Sequence, residues 1–149
     1  MVTKVKMIDI TKKPDVSRKA TASGKLKLKE STMARLRKGE IEKGDPLTVA
    51  EVAAIMAAKH TSQILPLCHQ LPITSVRMKA NLEKDGVCVE AEVRATGKTG
   101  VEMEALVAVS VYLLTIWDMT KKYEKDERGQ YPYTVIESIR VDRKEKKRA

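Results

Sequence analysis

The residues best suited to chemistry in this chain are a cysteine-histidine pair, a few carboxylates spaced along one long helix, and lysines near both. His69 follows Cys68 in a segment bracketed by Pro66 and Pro72. Each proline pushes its predecessor out of the helical region, so the pair sits in an ordered loop. Loops held this way commonly carry binding or catalytic groups. His60 lies near a predicted helix end, where a structural role accounts for it. Cys68 and His69 are adjacent and no second Cys-x-x-Cys or His-x-x-x-His pair exists, which makes a poor zinc set. Neither a metal nor an organic cofactor is expected.

Gly97-Lys98-Thr99-Gly100 is not a nucleotide-triphosphate loop, because the glycine such a loop needs five positions earlier is replaced by Glu92. It can still present backbone N–H groups to an anion at the start of a helix. Glu102 and Glu104 follow in the first turn, where the helix dipole favours acids. Asp118 and Lys121 form an i,i+3 pair on the same predicted helix. Asp118 stands at the foot of an almost wholly apolar stretch, where an unpartnered acid would be costly, so the pair reads as an acid/base candidate. Lys43 lies just outside a helix whose N-cap is Asp45, and adds a cation to a terminus that already attracts anions. Glu104 and Asp118 fall within about 40° of each other around the helix axis, yet roughly 21 Å apart along it. One small reaction centre cannot use both from one chain, so either the site is elongated or a neighbouring subunit supplies one end.

The elements that must position these groups are legible from periodicity. Lys25–Lys29 alternates as a strand, and Ser31–Lys38 reads as a short helix stopped by Gly39. Asp45 and Pro46 open a second helix reaching about His60 to Gln63. Val76–Leu82 and Val87–Ala95 alternate around an Asp85-Gly86 turn, which predicts a hairpin. A helix follows from about Val101 to Lys125; it is apolar on all sides between Ala105 and Trp117, as for a spine buried on more than one side. Tyr131–Val141 reads as a last strand. The fold class predicted is α+β: a ferredoxin-like split βαβ with an antiparallel sheet, helices on one face, and one extra helix. The chain's 149 residues make a single domain, with residues 1–15 as an N-terminal arm and residues 143–149 as a mobile, solvated basic tail.

The net charge of +9 favours anionic partners. Aromatic residues are only 3%, with no Phe, which removes the stacking platforms that nucleic-acid binders use. A basic nucleic-acid-binding module, the rival reading of this fold plan, is disfavoured on that ground and by the acids Glu102 and Glu104. No stretch approaches the length of uninterrupted apolar residues that a membrane span needs. The two cysteines cannot build a disulfide framework, so a cytoplasmic, reducing setting is expected.

Lys43-Gly44-Asp45, Leu65-Pro66-Leu67-Cys68-His69, the run from Thr96 to Leu106 and Asp118-Met119-Thr120-Lys121 occur in an order that resembles the cyclic pyranopterin monophosphate synthase family of molybdenum-cofactor biosynthesis. The resemblance covers most of the chain, from about Met7 to the final strand. It implies a ferredoxin-like protomer in a homo-hexamer, a trimer of dimers with sites at the dimer interface. The implied reaction, a phosphorus-oxygen lyase type, converts 3',8-cyclo-7,8-dihydro-GTP to cyclic pyranopterin monophosphate and diphosphate. Lys43, His69, Asp118 and Lys121 match the family's catalytic positions. Leu67, Cys68, His69, Met103 and Glu104, with neighbouring Glu102, match its substrate-contacting segments, and Arg18 matches a basic residue that reaches across the interface. The resemblance further implies that Lys43, Arg18 and His69 neutralise the triphosphate while Asp118 and Lys121 relay protons. One departure stands out: family members often carry a glycine-rich, lysine-containing stretch near the C-terminus, whereas no glycine follows Gly129 here.

Overall fold

The computed structural model of the protein describes residues 4–148. Its elements run β1 (Val16–Lys27), α1 (Glu30–Lys38), α2 (Pro46–Lys59), α3 (Thr61–Ile64), β2 (Ile73–Glu83), β3 (Gly86–Gly97), α4 (Glu102–Glu124) and β4 (Val135–Lys147). The strands form one sheet in the order β2-β3-β1-β4. Every neighbouring pair is antiparallel. This is the order a split βαβ plan produces, and α2 and α4 pack together on one face, α4 chiefly over β1 and β3. The α+β, ferredoxin-like expectation holds.

Packing of α4 on the sheet explains the small residues in β1. Ala20, Ala22 and Leu26 are fully buried beneath the helix, as are Val87, Ala91 and Val93 of β3. At Gly24 a Cβ would stand 2.9 Å from Val109 Cγ1 and 3.1 Å from Leu113 Cδ1, both on α4. Glycine there is what lets helix and strand approach. The other face of the sheet is laced with ion pairs, among them Lys19 to Glu92 at 3.6 Å and Lys25 to Asp85 at 2.9 Å.

Several boundaries differ from those read in the sequence. β1 begins at Val16 rather than Lys25, because its buried positions before Leu26 are small and give little hydrophobic alternation. The hairpin turn is Lys84-Asp85, and Gly86 is the first residue of β3, paired with Glu83. A Cβ on Gly86 would meet the Leu26 carbonyl oxygen, so this glycine serves a close strand approach rather than the turn. The second helix breaks at His60, and α3 continues as a separate turn. β4 starts later, at Val135, and runs through the expected basic tail, with Arg143 opposite Thr21 and Lys147 opposite Ser17. The tail's side chains are mostly exposed, but its backbone completes the sheet.

Helix starts are satisfied in two ways. Asp45 caps α2 through Leu47 N–H at 3.1 Å and Thr48 Oγ1 at 2.5 Å, as its N-cap position before Pro46 predicts. α1 has no cap from its own N-cap residue, Lys29. Its start is anchored instead by Glu124, the last residue of α4, which is fully buried. Its carboxylate accepts the Lys29 N–H at 3.2 Å, the Thr134 hydroxyl at 2.6 Å and the Thr32 hydroxyl. One carboxylate therefore joins the start of α1, the end of α4 and the approach to β4.

Candidate active site

α4 carries titratable side chains at both ends. Near its C-terminus Asp118 is exposed rather than buried; the burial cost expected from its apolar neighbours does not arise. Its carboxylate is instead held between two ammonium groups, Lys121 Nζ at 3.1 Å from Oδ1 and Lys43 Nζ at 3.1 Å from Oδ2. Lys43 also donates to the Asp118 carbonyl at 3.0 Å. Hydrogen bonds from Lys121 and then Lys43 hold the Asp118 carboxyl below its usual range. These groups border a concavity of about 420 Å³ that Lys122 and Lys125 also line. The result is a cleft lined by four lysines and two carboxylates, Asp118 between Lys43 and Lys121 and Glu42 against Lys122, with a net positive charge that attracts anions.

At the N-terminal end Glu104 is only 2% exposed, and its Oε1 has no hydrogen-bond partner. Burial raises its pKa first, and the neighbouring Glu102 raises it further. Cys68 Sγ lies 3.9 Å from Glu104 Oε2. Burial, then Glu104 and Glu102, push the Cys68 thiol upward, so it is not an activated nucleophile. His69 Nε2 donates to the Ile8 carbonyl at 2.6 Å, and Lys98 Nζ donates to the Thr11 carbonyl at 3.1 Å. The N-terminal arm thus lies against the Cys68–His69 loop. Arg18 donates to the carbonyls of Gly97 and Lys98, at 3.3 and 3.1 Å, which fixes the turn before α4. Glu102 pairs with Lys144 of β4 at 3.3 Å. Leu67 and Met103 expose apolar surface at 46% and 42%.

The residues singled out in the sequence therefore fall into two groups. Lys43, Asp118 and Lys121 meet at one end of α4. Glu104 and Cys68 meet at the other, with His69 beside Cys68 and Glu102 and Met103 in the same turn as Glu104; Arg18 braces the loop leading there. Lys43 joins the aspartate rather than Arg18 and His69. Lys122, Lys125 and the Ile8 carbonyl were not anticipated, and Lys98, within the Gly97–Gly100 turn singled out for its backbone, directs its side chain to the Thr11 carbonyl. For Lys125 the signal was present, since it follows Lys121 by one helical turn and so shares its face.

Comparison with known proteins supplies a family for this arrangement. A probable cyclic pyranopterin monophosphate synthase of Saccharolobus solfataricus is 55% identical over 141 residues, covering 95% of this chain and 95% of that protein. One from Pyrococcus furiosus is 55% identical over 137 residues, covering 92% and 88%. A probable cyclic pyranopterin monophosphate synthase accessory protein of Methanothermobacter thermautotrophicus is 53% identical over 142 residues, covering 95% and 89%. The MoaC family model matches residues 7–147. On identity and coverage together, this chain belongs to the MoaC family.

Proposed function

We propose that the protein converts 3',8-cyclo-7,8-dihydro-GTP to cyclic pyranopterin monophosphate and diphosphate, with Asp118, Lys121 and Lys43 as the reacting end of the site. The observation that carries this reading is the Asp118 carboxylate held by two ammonium groups in a lysine-lined cleft, in a chain that belongs to this family. Closing a cyclic phosphate requires a sugar hydroxyl to attack the α-phosphorus. The bond from that phosphorus to the bridging oxygen breaks, and diphosphate leaves with its electron pair. Fixed cations stabilise the charge that gathers on the leaving group, and Lys43 and Lys121 are placed to do so. Asp118, ionised, accepts a proton, and a lysine ammonium returns one as the purine-derived ring is opened and rebuilt.

Roughly 21 Å of helix separates Asp118 from Glu104. The second half of each site, with His69, Cys68, Met103, Glu104 and Arg18, then comes from a neighbouring copy in a hexamer built as a trimer of dimers. Exposed Val49, Val52 and Met56, spaced along one side of α2, and Leu114 of α4 support burial against another subunit. Lys144 and Lys146, which pair opposite Ala20 and Arg18, supply from a glycine-free strand any phosphate contact that family members make from a glycine-rich stretch. Two free thiols suit a reducing cytoplasm.

The test is to incubate the purified protein with the cyclised GTP and follow diphosphate and the pterin product. Wild-type protein is expected to form both. Asp118→Asn and Lys121→Met are expected to lower turnover by about 100-fold or more, with melting temperature and assembly mass unchanged. Turnover close to wild type in either variant removes that residue from the reaction.

A further inference from the structure

Lys43 sits in a short connection between α1 and α2 whose geometry is not set by secondary structure. Gly39 and Gly44 flank it with φ of 70° and 120°, values that glycine adopts without strain. Within it the side chain of Ile41 is buried, and the Gly44 N–H donates to the Ile41 carbonyl at 3.1 Å. The lysine's own neighbour is tied from outside: the Tyr123 phenol oxygen accepts the Glu42 N–H at 2.9 Å. Tyr123 lies on α4, two residues beyond Lys121. Its ring is held by the Arg35 guanidinium of α1, 4.7 Å from the ring centre, and by Lys122, 5.5 Å away. Lys122 also pairs with the Glu42 carboxylate. One phenol thus ties α1, the Lys43 connection and the helix that carries Asp118.

We propose that Tyr123 is a positioning residue: by holding the Glu42 amide it sets the reach of Lys43 to Asp118. A lysine on an untethered loop explores many positions, and fixing it before reaction lowers the entropic barrier that catalysis must overcome. The inference rests on the assignment of Lys43 and Asp118 to the reacting end of the site. Replacing the phenol with a phenyl ring removes only the acceptor oxygen and keeps the stacking surface for Arg35.

The test is Tyr123→Phe in the full chain, compared with Lys43→Met and the Tyr123→Phe/Lys43→Met double variant. Tyr123→Phe is expected to lower kcat roughly 5- to 20-fold with KM nearly unchanged. Amide exchange in the peptide spanning residues 39–45 is expected to quicken while the melting temperature stays within about 2 °C. In the Lys43→Met background, where no side-chain cation is left to position, the phenylalanine is expected to cause little further loss of the residual turnover. An unchanged kcat in Tyr123→Phe, or an equal fall in both backgrounds, overturns the positioning role. Normal turnover by Lys43→Met instead overturns the site assignment, and the exchange measurement still reports whether Tyr123 holds the connection.

Discussion

Two carboxylates on α4 have been set apart by their surroundings. Asp118 faces two ammonium groups and keeps its charge at low pH, whereas Glu104 is buried with one oxygen unpartnered and resists ionisation. A raised carboxyl contributes stability that is complete below its ordinary value of 4.5 and is lost as pH rises through the higher folded value. Glu104→Gln is therefore expected to flatten the decline in melting temperature just above pH ~4.5, measured by calorimetry across that range. The same substitution removes one of the charges that suppress the Cys68 thiolate, so iodoacetamide is expected to modify Cys68 faster in Glu104→Gln than in wild type. An equal rate in both proteins shows that Glu104 has no part in suppressing the thiolate and leaves burial and Glu102 as its causes. The Cys68–His69 loop, Glu104, Asp118 and Lys121 all stood out by type and spacing at this scale, and the fold gathers them into two groups at opposite ends of α4. Their pairing was less legible. Lys43 meets Asp118 across 75 positions of sequence, and no local pattern encodes a contact of that range.

Element boundaries followed a similar rule. α2 was readable because Asp45, Pro46 and its apolar residues act locally, and the hairpin because its apolar and polar residues alternate strongly. The first half of β1 was hidden by the small side chains that α4 requires, and the second half of β4 by charged side chains on a strand defined through its partner. Gly24→Ala tests the first point. With Val109, Ile139 and Leu113 all within 3.1 Å of the new carbon, the substitution is expected to cost about 1–3 kcal/mol in chemical denaturation. Glu124→Ala tests the junction between α1, α4 and β4. It leaves the Lys29 amide and two buried hydroxyls without their acceptor, an expected loss of roughly 3 kcal/mol. Asp118→Asn, by contrast, breaks only exposed pairs and is expected to leave denaturation within about 1 kcal/mol of wild type.

At the scale of the whole molecule, the fold plan emerged from element order alone because antiparallel split βαβ sheets have few alternatives. The separation of the two candidate ends was also visible, since helix geometry sets Glu104 apart from Asp118 whatever surrounds them. The completion of the site by another copy that we propose predicts a concentration-dependent activity. Val52→Glu with Met56→Glu is expected to reduce the mass seen by light scattering and turnover together. Loss of assembly with full activity retained argues that each chain is complete by itself.

The last strand has a further effect during synthesis. β1 is made well before β4, so the hydrogen-bonding edge it offers to β4 stays open until residues 135–147 have been translated. A nascent or truncated chain therefore carries an uncovered central strand, the kind of edge on which other chains stack. The lysines and arginines that crowd this segment would help keep the late-arriving strand in solution until it docks.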